Sequence, residues 1–121
     1  MKRVLQTKFG MEGNCLTAAL ASLLGVELAD VAEIPEDRWW QRMEEAAHAH
    51  HHHPIWHPMD IGIPRGFCLG SVKSPRLDGQ THSVVVLDGN IIWDPHPDQD
   101  AYTLPLVEGF IVFVPLLPDK A

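Results

Sequence analysis

The dipeptide Asp88-Gly89, set between His82-Ser-Val-Val-Val-Leu87 and Asn90-Ile-Ile-Trp-Asp94, constrains the fold of this chain more than any other stretch. Two β-branched runs around Asp-Gly predict an antiparallel hairpin, because these turn residues accept the positive φ that a tight connection requires. Register then decides which side chains share a face, since a slip of one residue inverts all of them. With Gly89 as the left-handed residue of a three-residue loop running from Leu87, Val86 pairs with Asn90 and His82 falls opposite Asp94. A two-residue loop of Asp88-Gly89 would put Ser83 opposite Asp94 and turn His82 to the other face. The three-residue loop is the expected one. It gives a histidine oriented by a carboxylate, as a general base requires.

A strand pair exposing a histidine and an acid needs something to act with, and the other informative stretch supplies a thiol. Gly13-Asn14 precedes Cys15-Leu-Thr-Ala-Ala-Leu-Ala-Ser-Leu-Leu24, and Gly25 follows it. Asn14 suits a cap, the alanines and leucines are strong helix formers, and Gly25 is a natural C-terminal stop. Cys15 therefore falls in a first helical turn, where unpaired N–H groups and the positive end of the helix dipole favour thiolate over thiol. The competing reading of Cys15 is a small apolar core residue, since free cysteine is among the most buried types.

Between these stretches, Glu36 to His48 predicts a longer helix, with Trp39, Trp40, Met43 and Ala47 at helical spacing and both tryptophans assigned to packing. His48 to His53 carries five histidines in six residues. On a loop, His50, His51, His52 and His53 form an adventitious nickel or zinc chelator, with no dedicated metal site. Strand-like pieces follow at Ile55-Trp56, Met59 to Ile63 and Gly66 to Val72, the last holding Cys68 as a buried structural thiol. Lys73 to Gln80 is a loop leading into His82. Its Lys73 and Arg76 are weak candidates for binding an acidic or carboxylate-bearing substrate. Gly109 to Pro115 is apolar enough to be a strand buried on both faces, and Leu116 to Ala121 reads as a frayed tail.

The elements define an α+β chain, helices first and an antiparallel sheet after them, forming one domain over residues 1–121. A net charge of −7 with no basic run argues against nucleic acid as partner. No segment is long and apolar enough for a membrane span, and Gln6, Thr7, Lys8 and Glu12 interrupt any signal peptide after Met1-Lys2-Arg3. A cytoplasmic protein with both cysteines reduced and no cofactor is the expectation, with oligomeric state left open.

Cysteine opening a helix, then histidine opening one strand and acid closing the next, resembles the papain-like cysteine peptidase superfamily. Within it the chain is most similar to the bacteriocin leader-processing peptidase domains of bacterial exporters. The matching pieces are Gln6, Asn14-Cys15-Leu-Thr-Ala-Ala-Leu-Ala21, His82-Ser-Val-Val-Val86, Asp88-Gly89 and Trp93-Asp94-Pro95. The resemblance implies a papain-like fold, with a central cysteine-bearing helix packed on the sheet, and a thiol hydrolase or acyl-transfer enzyme. It implies Cys15 as nucleophile, His82 as base, Asp94 as its orienter and Gln6 as an oxyanion donor. The substrate would be a peptide or other amide, isopeptide or thioester. The chain departs from the family in the separation of Gln6 from Cys15, where Phe9 to Gly13 reads as an insertion, so Asn14 is the alternative oxyanion donor. A catalytically inactive papain-like binding module, or a small metal-binding protein using its histidine run, are the other readings of the same residues.

Overall fold

The computed structural model describes residues 1–117; residues 118–121, most of the tail expected to fray, lie outside the described residues. The chain is α+β. Helix α1 spans Cys15–Leu24 and α2 spans Trp39–Ala49. Strands β1 (His52–Pro58), β2 (Phe67–Lys73), β3 (Thr81–Leu87), β4 (Asn90–Trp93) and β5 (Leu106–Pro115) form one antiparallel sheet in the order β1-β5-β2-β3-β4. Among the described residues, no helix is long and apolar enough to cross a membrane.

Each face of the sheet is covered by a different kind of segment. On one face, Ala18, Ala19, Leu20 and Ala21 of α1 and Met43, Ala46 and Ala47 of α2 pack with Leu69, Val85, Trp93, Ile111 and Phe113. Small alanines let α1 lie close to β3, so that the start of the helix comes near the start of the strand. On the opposite face, Cys68, Val72, Val84, Val86 and Phe110 pack against Ala101 and Leu104 from the connection between β4 and β5 and against Leu106 at the start of β5. As its apolar run implied, β5 lies between two other strands, with Phe110 and Ile111 buried.

Several local expectations are corrected. The Met59 to Ile63 piece contains a 3-10 turn, Met59–Ile61, because Pro58 and Gly62 bracket it and deny it a ladder. Helix α2 starts at Trp39, three residues later than Glu36. The histidine run is not an open loop: His48 lies in the last turn of α2, His51 makes the turn at φ 62, and His52 and His53 begin β1 opposite Pro115 and Val114.

The hairpin differs most from expectation. Leu87 pairs with Asn90 across a two-residue turn, with Asp88 at φ 51 and Gly89 at φ 86, the type I′ geometry that Asp-Gly favours. The three-residue loop is therefore wrong. The predicted cost of the two-residue loop, His82 turned away from Asp94, is nevertheless avoided by a bulge. Val86 pairs with Ile91 but Val85 pairs with Trp93, so β4 carries one extra residue. That bulge places Trp93 beside Val85 on the helix face and re-aims the chain that follows it.

A second irregularity shapes the far side of the cleft described below. The register of β5 against β2 shifts between Gly70 and Ser71, and the shift is absorbed at Glu108, φ 71, and Gly109, φ 153. A Cβ on Gly109 would lie 2.7 Å from Trp56 Cζ2 and 2.8 Å from the His57 carbonyl oxygen. Gly109→Ala is expected to destabilise the fold by about 1–3 kcal/mol through this clash. The check is a urea unfolding midpoint, compared with Gly10→Ala, where the added Cβ meets nothing within 4 Å and only the positive φ is strained.

Candidate active site

Residues 1–14 lead into α1 and are tied both to that helix and to the segment around Asp94. Gln6 N–H donates to Pro95 O at 2.9 Å, which ties the lead-in to the segment just past Asp94. Asn14 occupies the N-cap position of α1 but makes no cap bond. Its Oδ1 instead accepts the N–H groups of Thr7 at 3.0 Å and Lys8 at 2.9 Å, while its Nδ2 donates to Thr7 Oγ1 at 3.0 Å. The helix thus keeps its first N–H groups free of a side-chain cap, where they favour negative charge on Cys15.

His82 is buried near the beginning of β3, and its Nε2 donates to Asp94 Oδ1 at 2.6 Å. That bond leaves Nδ1 as the ring's other nitrogen. The imidazole lies close enough to the Cys15 thiol to favour its charged form, and Ser83 acts in the same direction. Asp94 is completely buried, and its carboxylate also accepts His96 N–H at 2.9 Å and Ala101 N–H at 3.1 Å. Tyr102 closes the outer side, with its hydroxyl accepting Asp94 N–H at 3.3 Å.

These contacts make three groups charged together. Burial pushes the Cys15 thiol up, but the His82 imidazole and Ser83 more than offset it and leave its pKa lowered. Burial pushes His82 down, yet Asp94 and the Cys15 thiolate raise it to about 9. Burial likewise works against the Asp94 carboxylate, and His82 with the His96 and Ala101 N–H groups brings it net below its usual value. Between the lowered thiol and the raised imidazole lies a pH window in which thiolate and imidazolium coexist. Cys68 has none of these partners, and burial alone raises it to about 11.

Cys15 and His82 open onto a cleft of about 440 Å³ lined also by Gln6, Phe9, Met11, Trp39, Trp56 and His96. The aromatic walls went unrecognised in the sequence. Trp39, assigned wholly to packing, is 39% exposed and stands edge-on to Trp40 at 5.7 Å, so only the second tryptophan goes into the core. His96 and Ser83 were likewise missed, because a Pro-His-Pro turn and a strand serine carry no signal of their own.

The remaining candidates divide. Gln6 lines the cleft, buried, with Nε2 donating to Lys8 O at 2.9 Å and Oε1 without a partner. Asn14 does not line it and is committed to the loop, which removes the structural basis for an oxyanion role. Lys73 ends β2, exposed and outside the cleft lining. Arg76 does line it, but its Nη1 is held by both oxygens of Asp100 at 2.6 and 2.7 Å. With Glu36 and Glu108 also on the lining, the expected bias toward anionic substrates loses its basis.

The histidine run engages its own ring nitrogens: His48 Nε2 with His53 Nδ1 at 2.8 Å, His50 Nε2 with Asp30 O at 2.8 Å, and His52 Nδ1 with His50 O at 2.7 Å. Among the described residues, no group of three or more His, Cys, Asp or Glu side chains is placed to hold a metal ion. Comparison with protein-family models, curated proteins and solved structures finds no match to this chain.

The electrostatics predict unequal thiols. Iodoacetamide at pH 7 should alkylate Cys15 at least tenfold faster than Cys68, and the rate should persist below pH 7 because the thiolate does. His82→Ala should abolish that advantage. Peptide mapping by mass spectrometry reads both sites in one sample, and equal, slow labelling of both would overturn the ion-pair assignment.

Proposed function

We propose that the chain is a papain-like thiol enzyme that transfers an acyl group from an amide, isopeptide or thioester through Cys15, His82 and Asp94. The observation that carries this reading is a lowered thiol at an uncapped helix start, sharing a cleft with an imidazole that a buried carboxylate holds at 2.6 Å. A structural histidine needs a partner for its ring but no thiol at the mouth of a cleft. The arrangement of elements supports the same reading, since a cysteine-bearing helix packs on an antiparallel sheet whose third and fourth strands bring in the base and its acid.

In this mechanism the Cys15 thiolate attacks the substrate carbonyl carbon, and the carbonyl π pair moves onto oxygen. The Cys15 N–H, at the start of α1, and a second N–H of the Gln6 amide stabilise that oxyanion, each donor being worth about 3 kcal/mol. On collapse, the His82 imidazolium gives its Nδ1 proton to the departing nitrogen or sulfur, which leaves an acyl-Cys15 thioester and a neutral imidazole. His82 then removes a proton from water or another acceptor, whose attack on the thioester regenerates the thiolate. Asp94 keeps Nε2–H as the fixed proton throughout, so that Nδ1 alone exchanges protons.

The pH dependence separates the two roles of the pair. Alkylation needs only the thiolate, so its rate should hold constant or rise through pH 9. Acyl transfer needs the imidazolium as acid, and because His82 titrates at about 9, transfer should fall as pH rises through that value. Turnover of an N-acyl peptide amide, measured beside iodoacetamide labelling over pH 6 to 10, reads both limbs. A transfer rate that tracked alkylation across the whole range would remove His82 as the acid. The predicted effect of Asp94→Asn is a fall in acyl transfer of about 10²-fold or more with the fold retained, because the ring loses its charge partner.

A further inference from the structure

The turn after Asp94 places a second imidazole in the cleft. His96 is 91% buried, being 9% exposed, and lines the cleft with Cys15 and His82. Its ring meets His82 edge-on at a centroid distance of 6.2 Å and Phe9 edge-on at 5.2 Å. Every other polar atom of the residue is committed. Its N–H goes to Asp94 Oδ1 at 2.9 Å, and its carbonyl oxygen accepts Gln99 N–H at 3.1 Å and Gln99 Nε2 at 2.7 Å. Its Nδ1 accepts the N–H of Asp98 at 3.0 Å.

That last bond fixes the tautomer. A ring nitrogen that accepts a backbone N–H carries no proton, so the neutral imidazole bears its proton on Nε2. Nε2 has no partner among the described residues, and it is not sealed from solvent, since the sealed side-chain atom without a partner is Gln6 Oε1. A rigidly held donor thus stands next to the imidazole that protonates the leaving group.

We propose that His96 Nε2–H is a substrate-binding donor for the leaving-group half of the substrate, selecting leaving groups that carry a carbonyl or other oxygen acceptor near the scissile bond. The inference rests on the acyl-transfer reading above. Its location follows from His82: the departing atom must sit where His82 can protonate it, and His96 is the ring packed beside His82. The same carboxylate, Asp94, holds the His82 ring and the His96 backbone, so base and donor are placed relative to one another by a single buried group. A leaving group without an acceptor would have to strip water from Nε2–H and leave it unpaired, which costs more than the bond gains.

Two thioesters sharing an acyl half test this: S-butyl thioacetate, and the acetyl thioester of N-acetylcysteamine, whose leaving thiol carries an amide oxygen. In both, the Cys15 thiolate displaces the thiol, giving acetyl-Cys15 and the free alkanethiol after proton transfer from His82. Rates are read by mass spectrometry of acetyl-Cys15 and normalised to the same two reactions of free N-acetylcysteine. The wild-type chain should prefer the amide-bearing thioester by roughly three- to tenfold, the worth of one hydrogen bond. His96→Phe, which keeps a ring against His82 and Phe9 but has no donor, should bring the ratio to about one, and His96→Gln should restore part of it.

A purely structural role for His96 would slow both thioesters together and leave the ratio intact, so a preserved ratio in His96→Phe overturns the proposal. A wild-type chain that reacts with both thioesters without preference overturns it as well. Should neither thioester acetylate Cys15 faster than free N-acetylcysteine, the acyl-transfer reading itself fails and His96 with it, a result distinct from either of the others.

Discussion

The buried carboxylate of Asp94 is the constraint on which the rest of the site depends. A lone carboxylate without solvent contact is several kcal/mol unfavourable, so it persists only where hydrogen bonds and an opposite charge replace its water. Here the replacement is divided among His82 Nε2, His96 N–H and Ala101 N–H. Each partner lies on a different part of the connection around the sheet edge: the start of β3, the turn after β4, and the loop that covers the second sheet face. Satisfying one charge therefore folds the turn, seats the loop and fixes the His82 imidazole, and two of the residues that stabilise Asp94, His82 and His96, line the cleft.

A related economy operates at the start of α1. A capping asparagine normally spends its side chain on the helix N–H groups. Asn14 spends it on Thr7 and Lys8 instead, which holds the lead-in segment in place and brings Gln6 to the cleft. The residues between, Phe9 to Gly13, leave Gln6 at the cleft because the anchors on either side are independent: Gln6 N–H bonds to Pro95 O, and Asn14 bonds to Thr7 and Lys8. Separation along the sequence is thus a poor measure of separation in space here. Phe9 and Met11 of this loop become part of the cleft wall.

Much of this architecture was legible from local chemistry. The helix at Cys15, the burial of β5 and the contact of His82 with Asp94 follow from propensity, hydropathy and turn residues. The last of these was reached through the wrong register. Asp-Gly does favour the two-residue type I′ turn, and the side-chain inversion that this turn implies was sound. What a periodic reading cannot see is a single-residue bulge, which has no composition of its own. The bulge near Ile92 restores the approach of Asp94 to His82 that the turn alone would forbid. Trp39 and Trp56 were opaque for a different reason: helical or strand spacing places a tryptophan on a face but does not say whether that face is filled by another element or left as the wall of a cleft. Lys73 and Arg76 show the limit for charge, because their partners, or distance from the cleft, are set by folding.

The two thiols isolate what the site adds to the chemistry of cysteine. Both belong to one small chain, and burial acts on both in the same direction, against ionisation. Cys68, the second residue of β2, sits among Val72, Val84, Val86 and Phe110, so nothing opposes burial and its pKa rises to about 11. Cys15 is drawn the other way because His82, kept protonated by Asp94, and Ser83 both favour its charged form. A partly buried thiolate is sustained only by a nearby cation, and a partly buried imidazolium only by an anion at its far nitrogen. Charge alternation from Asp94 through His82 to Cys15 is therefore a single cooperative unit, in which removal of any member returns the other two toward neutrality. On that ground the cysteine's reactivity is a property of β3 and the turn after β4 as much as of the helix that carries it.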